Sequence, residues 1–190
     1  MIEIDKITER QKLIIRKGLL DYKYIMDNWK KNDEDFQKVY YEFYLKARFS
    51  VLNDRTKKIY FDLLKQISPK DDLMYILGKL EFKEGEKEFS IASKLLHTRN
   101  DLSPIYDSKV RKYLLKEENV KLEYLVSSSK RTSKDQKIEN DWLKINQWYN
   151  DYCHSQRGKD WIKWFNANFN EFADISDVKK IDFIIFACTD

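Results

Sequence analysis

The chain has 190 residues, of which 42% are hydrophobic and 36% are charged, so it holds enough apolar surface for a packed core and is not a disordered polymer. Only 4 glycines and 2 prolines are present, which argues against a many-stranded sandwich or barrel, because tight turns depend on these residues. The net charge of +4 permits an anionic partner without requiring one. We therefore expect an all-α fold in which residues 1–190 form one compact domain of about nine or ten helices.

No targeting, membrane-spanning or metal-binding pattern is visible in the sequence. The first ten residues carry charges instead of an apolar signal core, and no apolar run approaches the roughly 18 residues of a membrane span. The two cysteines and two histidines lack the spacing of a zinc site. We expect a cytoplasmic protein that contacts no membrane and needs neither a metal ion nor another cofactor.

Apolar residues recur at helical spacing through the first half of the chain. They predict one helix over about residues 3–31, in which Gly18 could mark a bend, and a second from residue 35 to about residue 51. A third helix should contain residues 59–67. Ser68 and Pro69 match the N-cap and first position of a fourth helix, which a charged hairpin at residues 81–88 follows.

An aspartate marks the start of a helix in the middle of the chain. A helical pattern begins at Phe89 and ends in a proline-containing loop, and Asp107 then precedes Val110 and Leu114. The last two residues are four positions apart, as on one helix face, so Asp107 should open the next helix. Backbone amides would hold a carboxylate there, and Asp107 or its neighbour Ser108 could be simply the N-cap.

The last third of the chain predicts two helices rich in aromatic residues, followed by a buried last segment. Their apolar positions lie at residues 142–152, 161–169 and 181–186. The aromatic side chains could form a base-stacking platform, but their spacing favours core packing. Before these helices, residues 127–137 are polar and basic and predict a loop, in which Lys130 and Arg131 could contact phosphates or simply be solvated.

The segment from Ser90 to Leu114 resembles the helix-hairpin-helix superfamily of DNA glycosylases. In that family, a helix that begins Lys-x-Ala or Ser-x-Ala follows a hairpin, and an aspartate in a Pro-Ile-x-Asp pattern opens the next helix. Ser90-Ile-Ala92 is similar to the serine form, and Pro104-Ile-Tyr-Asp107 is similar to the aspartate pattern. The likeness covers little more than this segment.

The chain departs from the family in two places. Its hairpin has Glu86-Lys-Glu88 where the family usually has Gly-x-Gly, and the arginine that follows the aspartate is displaced by one position. Two carboxylates would repel the DNA phosphate that a glycine backbone approaches. The alternative is therefore a non-catalytic all-α module that binds nucleic acid or a protein, with Asp107 as a plain N-cap.

The resemblance implies a monofunctional DNA glycosylase that excises a damaged or modified base without a lysine Schiff base, which would suit bacterial DNA repair. Asp107 would be the catalytic aspartate that stabilises positive charge on the sugar or orients water, with Ser90 beside it. Tyr106 would lie near the pocket, and further residues would contact DNA: Lys94, His97, Lys109 and Arg111. Lys94 is also the rival candidate for a nucleophile, and His97 could equally be an ordinary histidine at a helix end.

Overall fold

The computed structural model describes residues 2–45, 54–80, 89–123 and 133–189. All regular secondary structure in these ranges is helical, which confirms the expected all-α fold. The described part contains nine α-helices: α1 (Glu9–Asn28), α2 (Glu34–Tyr40), α3 (Asp54–Gln66), α4 (Leu73–Lys79), α5 (Phe89–Arg99), α6 (Ser108–Lys116), α7 (Lys134–His154), α8 (Gln156–Asn168) and α9 (Asp177–Cys188). Short 3₁₀ turns occur at Ile4–Lys6 and Asn170–Phe172. Among these described helices, none has both the length and the apolar character needed to cross a membrane.

Contacts between Cα atoms divide the chain into two units. Unit 1 comprises residues 1–16 and 101–190, and unit 2 comprises residues 17–100. Helices α2 to α5 therefore belong to unit 2 and α6 to α9 belong to unit 1, while α1 supplies its residues 9–16 to unit 1 and the remainder to unit 2. A single domain over residues 1–190 stays a prediction.

The first two predicted helices are present, with ends that differ from the expectation. Helix α1 begins at Glu9 and continues through Gly18 without interruption, and a bend at Gly18 stays a prediction. Asp33 caps α2 by accepting a hydrogen bond from the Phe36 amide at 2.9 Å. After α2 the chain continues as a π-helical turn, Tyr41–Leu45. Residues 46–51 of the predicted second helix lie outside the described ranges.

Ser68 does not cap α4, contrary to the expectation from the Ser-Pro pair. Residues 68–71 form a turn in which the Ser68 amide donates to Asp71 Oδ2 at 2.7 Å. Asp72 is the N-cap instead, and it accepts a hydrogen bond from the Tyr75 amide at 2.7 Å. Asp71 thus stabilises the turn, and Asp72 caps the helix. The hairpin predicted at residues 81–88 lies outside the described part of the chain.

Helix α5 is the most deeply buried helix of unit 2. Every residue from Ile91 to Thr98 is buried, and α3 and α4 pack against the helix. Burial on all sides requires hydrogen-bond partners for the polar groups. The Tyr60 hydroxyl donates to the Ile91 carbonyl at 3.4 Å, and Thr98 Oγ1 donates to the Lys94 carbonyl at 2.9 Å.

Three buried hydroxyl groups form a hydrogen-bonded cluster in unit 2. The Tyr40 hydroxyl lies 2.9 Å from the Tyr60 hydroxyl and 3.1 Å from Thr98 Oγ1. Burial raises the pKa of Tyr40 to about 12, although its hydrogen bonds to Thr98 and Tyr60 oppose this shift. Burial likewise raises the pKa of Tyr60 well above its ordinary value. Both phenols are therefore neutral at physiological pH, and they link α2, α3 and α5.

Helix α9 lies at the centre of unit 1. It packs against α6, α7 and α8, and its residues 179–185 are all buried. Three of these residues are charged: Lys179, Lys180 and Asp182. Lys179 forms an ion pair with Asp182 at 2.6 Å, which neutralises both charges inside the core. The buried last segment that the sequence predicts is therefore confirmed, as a helix.

A single residue, Ser155, joins α7 to α8. Its hydroxyl donates to the Tyr152 carbonyl at 2.7 Å and accepts from the Gly158 amide at 3.0 Å, so it ends one helix and caps the next. A β-carbon at Gly158 would overlap the Tyr152 carbonyl oxygen. Glycine is therefore required at this close approach.

The polar segment at residues 127–137 is not a loop over its whole length. Ser133 caps α7 by accepting a hydrogen bond from the Gln136 amide at 3.2 Å, so residues 134–137 form the first turn of that helix. Lys137 is 7% exposed, so the end of the predicted loop is a buried part of this helix. Lys130 and Arg131 lie outside the described residues.

Candidate functional site

Asp107 opens helix α6, as its position in the sequence predicts. Its Oδ1 accepts hydrogen bonds from the backbone amides of Lys109 and Val110, both at 2.8 Å, so the carboxylate is fixed as an N-cap. Burial, followed by the charges of Asp182 and Asp107, raises the pKa of Tyr149 well above its ordinary value. A neutral phenol therefore stands near this carboxylate. A reactive role for Asp107 stays a prediction.

Three further candidate residues, Ser90, Lys94 and His97, lie on α5 in unit 2. Lys94 Nζ donates to Ser90 Oγ at 3.1 Å, one helical turn away, and Lys94 is 9% exposed. His97 is 1% exposed, and its Nε2 lies 3.2 Å from the Tyr22 hydroxyl. Burial leaves little surface of either Lys94 or His97 for contact with DNA in this conformation. Their roles at a DNA site stay predictions.

Three further candidate residues flank or belong to α6, in unit 1. Tyr106 is 4% exposed, so its side chain belongs to the core more than to the surface. Lys109 Nζ donates to the Phe186 carbonyl at 2.9 Å and lies 4.7 Å from the centre of the Phe186 ring. Arg111 is partly exposed. Lys109 and Arg111 thus remain available, at least in part, to an anionic partner.

Helix α6 carries a row of lysines that we call the basic stripe, formed by Lys109, Lys112 and Lys116. These residues are spaced three and four apart, so they share one helix face, while Val110 and Leu114 are buried. The helix contains no acidic residue. A recess of about 430 Å³ adjoins the stripe. Its charged lining is mixed, and the lining residues are Ile2, Glu3, Lys6, Ile7, Gln11, Lys112, Tyr113, Lys116, Glu117, Cys188 and Thr189.

Unit 1 contains a concave groove of about 1000 Å³, which we call the α7–α8 groove. Its lining comes from α7, α8, the start of α9 and the loop before α6. Apolar lining residues are Leu102, Pro104, Leu143, Ile162 and Val178. Leu102 and Leu143 are 68% and 63% exposed, so two large apolar side chains at one groove face water. Polar lining residues are Asn146, Gln147, Asn150, His154 and Asn166.

The charged residues of the α7–α8 groove leave it positive. Lys159 and Lys163 are one turn apart on α8, both are exposed, and no described residue forms an ion pair with either. The acidic lining residue Asp177 is neutralised by Lys180 at 3.0 Å. Two neighbouring lysines that are solvated and form no ion pair with a described residue attract an anionic group.

Two lining residues of the groove bury polar atoms that no described residue satisfies. The Tyr149 hydroxyl and Asn166 Oδ1 are buried, and no hydrogen-bond partner lies within reach of either in the described structure. Buried polar atoms are rarely left in this state, because each gives up its hydrogen bonds to water. A ligand in the groove that carries donor and acceptor groups could supply the missing hydrogen bonds.

Sequence reasoning did not find this groove. Its residues lie between Leu102 and Val178 in the chain and become neighbours only when α7, α8 and α9 pack. The available signal was the pair Lys159 and Lys163, four residues apart on the helix that also carries Trp161, Trp164 and Phe165. A comparison with protein-family models finds no match to the chain, and no curated protein or solved structure matches it either. The function is therefore inferred from the geometry of this chain.

Proposed function

We propose that the protein binds duplex DNA through the basic stripe on α6. The observation that carries this proposal is the charge of the helix, which contains four basic residues and no acidic one. The net charge of +4 gives the chain as a whole only a mild attraction for DNA. Binding therefore depends on the place where cations are concentrated.

The stripe has a suitable length to meet one DNA strand. Lys109 and Lys116 are separated by about 10 Å along the helix axis. Successive phosphates of one strand are about 3.4 Å apart along the duplex axis, so the stripe spans about three of them. Lys109 also donates to the Phe186 carbonyl, and we assign Lys112 and Lys116 as the principal phosphate contacts.

The test is the salt dependence of binding to a fluorescently labelled duplex, measured by anisotropy. Each phosphate that a lysine neutralises contributes about 0.9 to the slope of log K against log salt. Lys112→Gln combined with Lys116→Gln should therefore weaken binding and reduce the slope by about 2. Thermal unfolding of the variant shows whether the fold is intact.

A matched control removes two lysines from unit 2. Lys58 and Lys65 are exposed, stand seven positions apart on α3, and carry the same charge as the Lys112 and Lys116 pair. Lys58→Gln with Lys65→Gln should leave the slope nearly unchanged. If the two double variants change the slope equally, net charge rather than the stripe controls binding, and the proposal is overturned.

Base excision by Asp107 is the second candidate function. The observation in its favour is the fixed carboxylate, which two amides hold at 2.8 Å at the start of the helix that carries the stripe. When an extruded nucleotide loses its base, positive charge develops on the sugar, and a fixed carboxylate can stabilise it or orient water. In this proposal Asp107 carries the reaction.

A cationic pyrrolidine abasic analogue in duplex DNA tests the second candidate, because it mimics the charged sugar whatever base is removed. We expect the wild type to prefer this duplex over an undamaged one, and Asp107→Asn to lose the preference while it keeps the cap. Asp107→Ala should in addition lower the free energy of unfolding by about 0.5 to 2 kcal/mol. Equal binding of both duplexes by the wild type would exclude excision and leave Asp107 as a cap.

A further inference from the structure

We infer that the α7–α8 groove binds a nucleoside phosphate, either free or as one residue of a single strand. Ligand pockets typically enclose about 300 to 1000 Å³, and this groove of about 1000 Å³ lies at the upper end of that range. It is built entirely from unit 1. The inference concerns a site separate from the basic stripe and does not depend on duplex binding.

The phosphate end of the ligand is assigned by Lys159 and Lys163. Their spacing of four residues places them on one face of α8, about 6 Å apart along the axis. Both long side chains can therefore reach the same phosphate. No described residue pairs with either ammonium, and Asp177 is already neutralised by Lys180. A dianionic phosphate supplies the missing counter-charge.

The base end is assigned by the apolar and amide side chains. Leu102 and Leu143 are largely exposed and would cover the flat faces of a planar base, which removes their apolar surface from water. Asn166 Oδ1 is buried and accepts no hydrogen bond from a described residue, so it fits the amino group of a base. A fatty acid would satisfy the lysines and the apolar walls but would leave this acceptor unpaired. A nucleoside phosphate whose base has an exocyclic amino group matches the lysines, the apolar walls and the Asn166 acceptor.

Calorimetric titration of the full chain with AMP, adenosine and inorganic phosphate tests the inference. AMP should bind at least about tenfold more tightly than either adenosine or phosphate, because only AMP engages both ends of the groove. Lys159→Gln with Lys163→Gln should weaken AMP binding about tenfold and leave adenosine binding unchanged. Lys112→Gln with Lys116→Gln, the stripe variant, should leave AMP binding unchanged.

A second variant separates recognition of the base from the fold. Asn166→Leu removes the buried acceptor at similar volume, so the protein should be at least as stable as the wild type. The same variant should nevertheless weaken AMP binding about tenfold without changing phosphate binding. A purely structural role for Asn166 would leave AMP binding intact, and that result would overturn the assignment of the base end.

Competition with a short oligodeoxyadenylate distinguishes the two sources of the ligand. Displacement of AMP by the single strand assigns the groove to a nucleotide within a strand, and failure of displacement assigns it to free nucleotides. If AMP binds no more tightly than inorganic phosphate, and the oligonucleotide does not bind, the inference is overturned. Duplex binding by the stripe could survive that result, so failure of one proposal is separable from failure of the other.

Discussion

Lys179 and Asp182 form an ion pair inside the core of unit 1. Lys179 Nζ lies 2.6 Å from Asp182 Oδ2, and the two side chains are only 3% and 8% exposed. A second pair with the same spacing on α9 joins Lys180 to Asp177 at 3.0 Å, but Asp177 is 52% exposed. One helix therefore holds a buried pair and a half-exposed pair of the same kind.

We expect Asp182→Asn to lower the free energy of unfolding by about 3 to 5 kcal/mol, because it leaves the Lys179 ammonium buried without its counter-charge. Asp177→Asn should cost less than Asp182→Asn, because water reaches the 52% exposed Asp177 carboxylate, although its partner Lys180 is only 5% exposed. Urea unfolding of both variants at neutral pH, followed by circular dichroism, measures the difference. Equal losses would show that burial does not set the strength of these pairs.

Two glycine substitutions should change stability in opposite directions. Gly158→Ala should cost about 1 to 3 kcal/mol, because the new methyl group overlaps the Tyr152 carbonyl where α7 meets α8. Gly78→Ala should stabilise the protein by about 0.5 to 1 kcal/mol, because Gly78 lies within α4 and a β-carbon there meets no atom within 4 Å. Thermal unfolding of both variants provides the measurement. A neutral Gly158→Ala would mean that the helix junction can shift without cost.

The helices were predictable because the spacing of their apolar residues is a local signal. Their ends were harder to predict, because neighbouring residues compete for the capping position. Apolar residues at three-to-four spacing located nearly every described helix, but they could not show that Asp72, rather than Ser68, takes the cap of α4. The π-helical turn at Tyr41–Leu45 is also invisible to a pattern that assumes 3.6 residues per turn. The burial of Lys94 and His97 on α5 did not follow from their polar character, and the partner of His97, Tyr22, lies on another helix.

Stability should fall as the pH rises above about 10. The pKa of Tyr40 is about 12 in the folded protein, and an unfolded tyrosine titrates near 10, so unfolding releases a proton between these values. Below pH 10 this tyrosine contributes no pH dependence, because it is protonated in both states. Between about pH 10 and 12 it should lower the free energy of unfolding by up to about 1.4 kcal/mol per pH unit.

Tyr40→Phe removes this contribution and should make the alkaline decline shallower. Urea unfolding at a series of pH values gives the slope for each protein. Tyr75→Phe is the control, because it also removes one phenol but from a side chain that is 48% exposed. If the two variants show the same decline, the buried Tyr40 phenol does not cause it.

The two cysteines should react slowly in the folded protein. Burial, with a smaller effect of the Asp177 charge, raises the pKa of Cys153 to about 11, and burial raises the pKa of Cys188 to about 11. Because the thiolate is the reactive form, each should react with a disulfide reagent at neutral pH about a hundredfold more slowly than in urea. Cys188→Ser isolates Cys153, and Cys153→Ser isolates Cys188.

The same measurement also bears on the groove. Cys153 lines it, so AMP should slow the reaction of Cys153 further and leave Cys188 unchanged. Protection of both thiols to the same extent would indicate a general stabilisation of the protein instead of occupancy of the groove.

The part of the site that could be predicted from the sequence is the part in which partners are close in the chain. Asp107 and the amides that it caps lie within three residues of each other, so a helix pattern was enough to place the carboxylate. The α7–α8 groove has no such local signature. Leu102 and Asn166 are far apart in sequence, and an unsatisfied acceptor such as Asn166 Oδ1 is a property of packing alone.

The central position of α9 in unit 1 also sets an order of events during synthesis. α9 follows α6, α7 and α8 in the chain, yet all three pack against it. At about 5 to 20 residues per second, a ribosome needs roughly 4 to 16 s to pass from Asp107 to Ile185. During that interval the faces of α6, α7 and α8 that pack against α9 have no partner helix. Unit 2 is contiguous along the chain, so we expect the apolar surface that the nascent chain exposes to lie mainly on α6, α7 and α8 until α9 is synthesised.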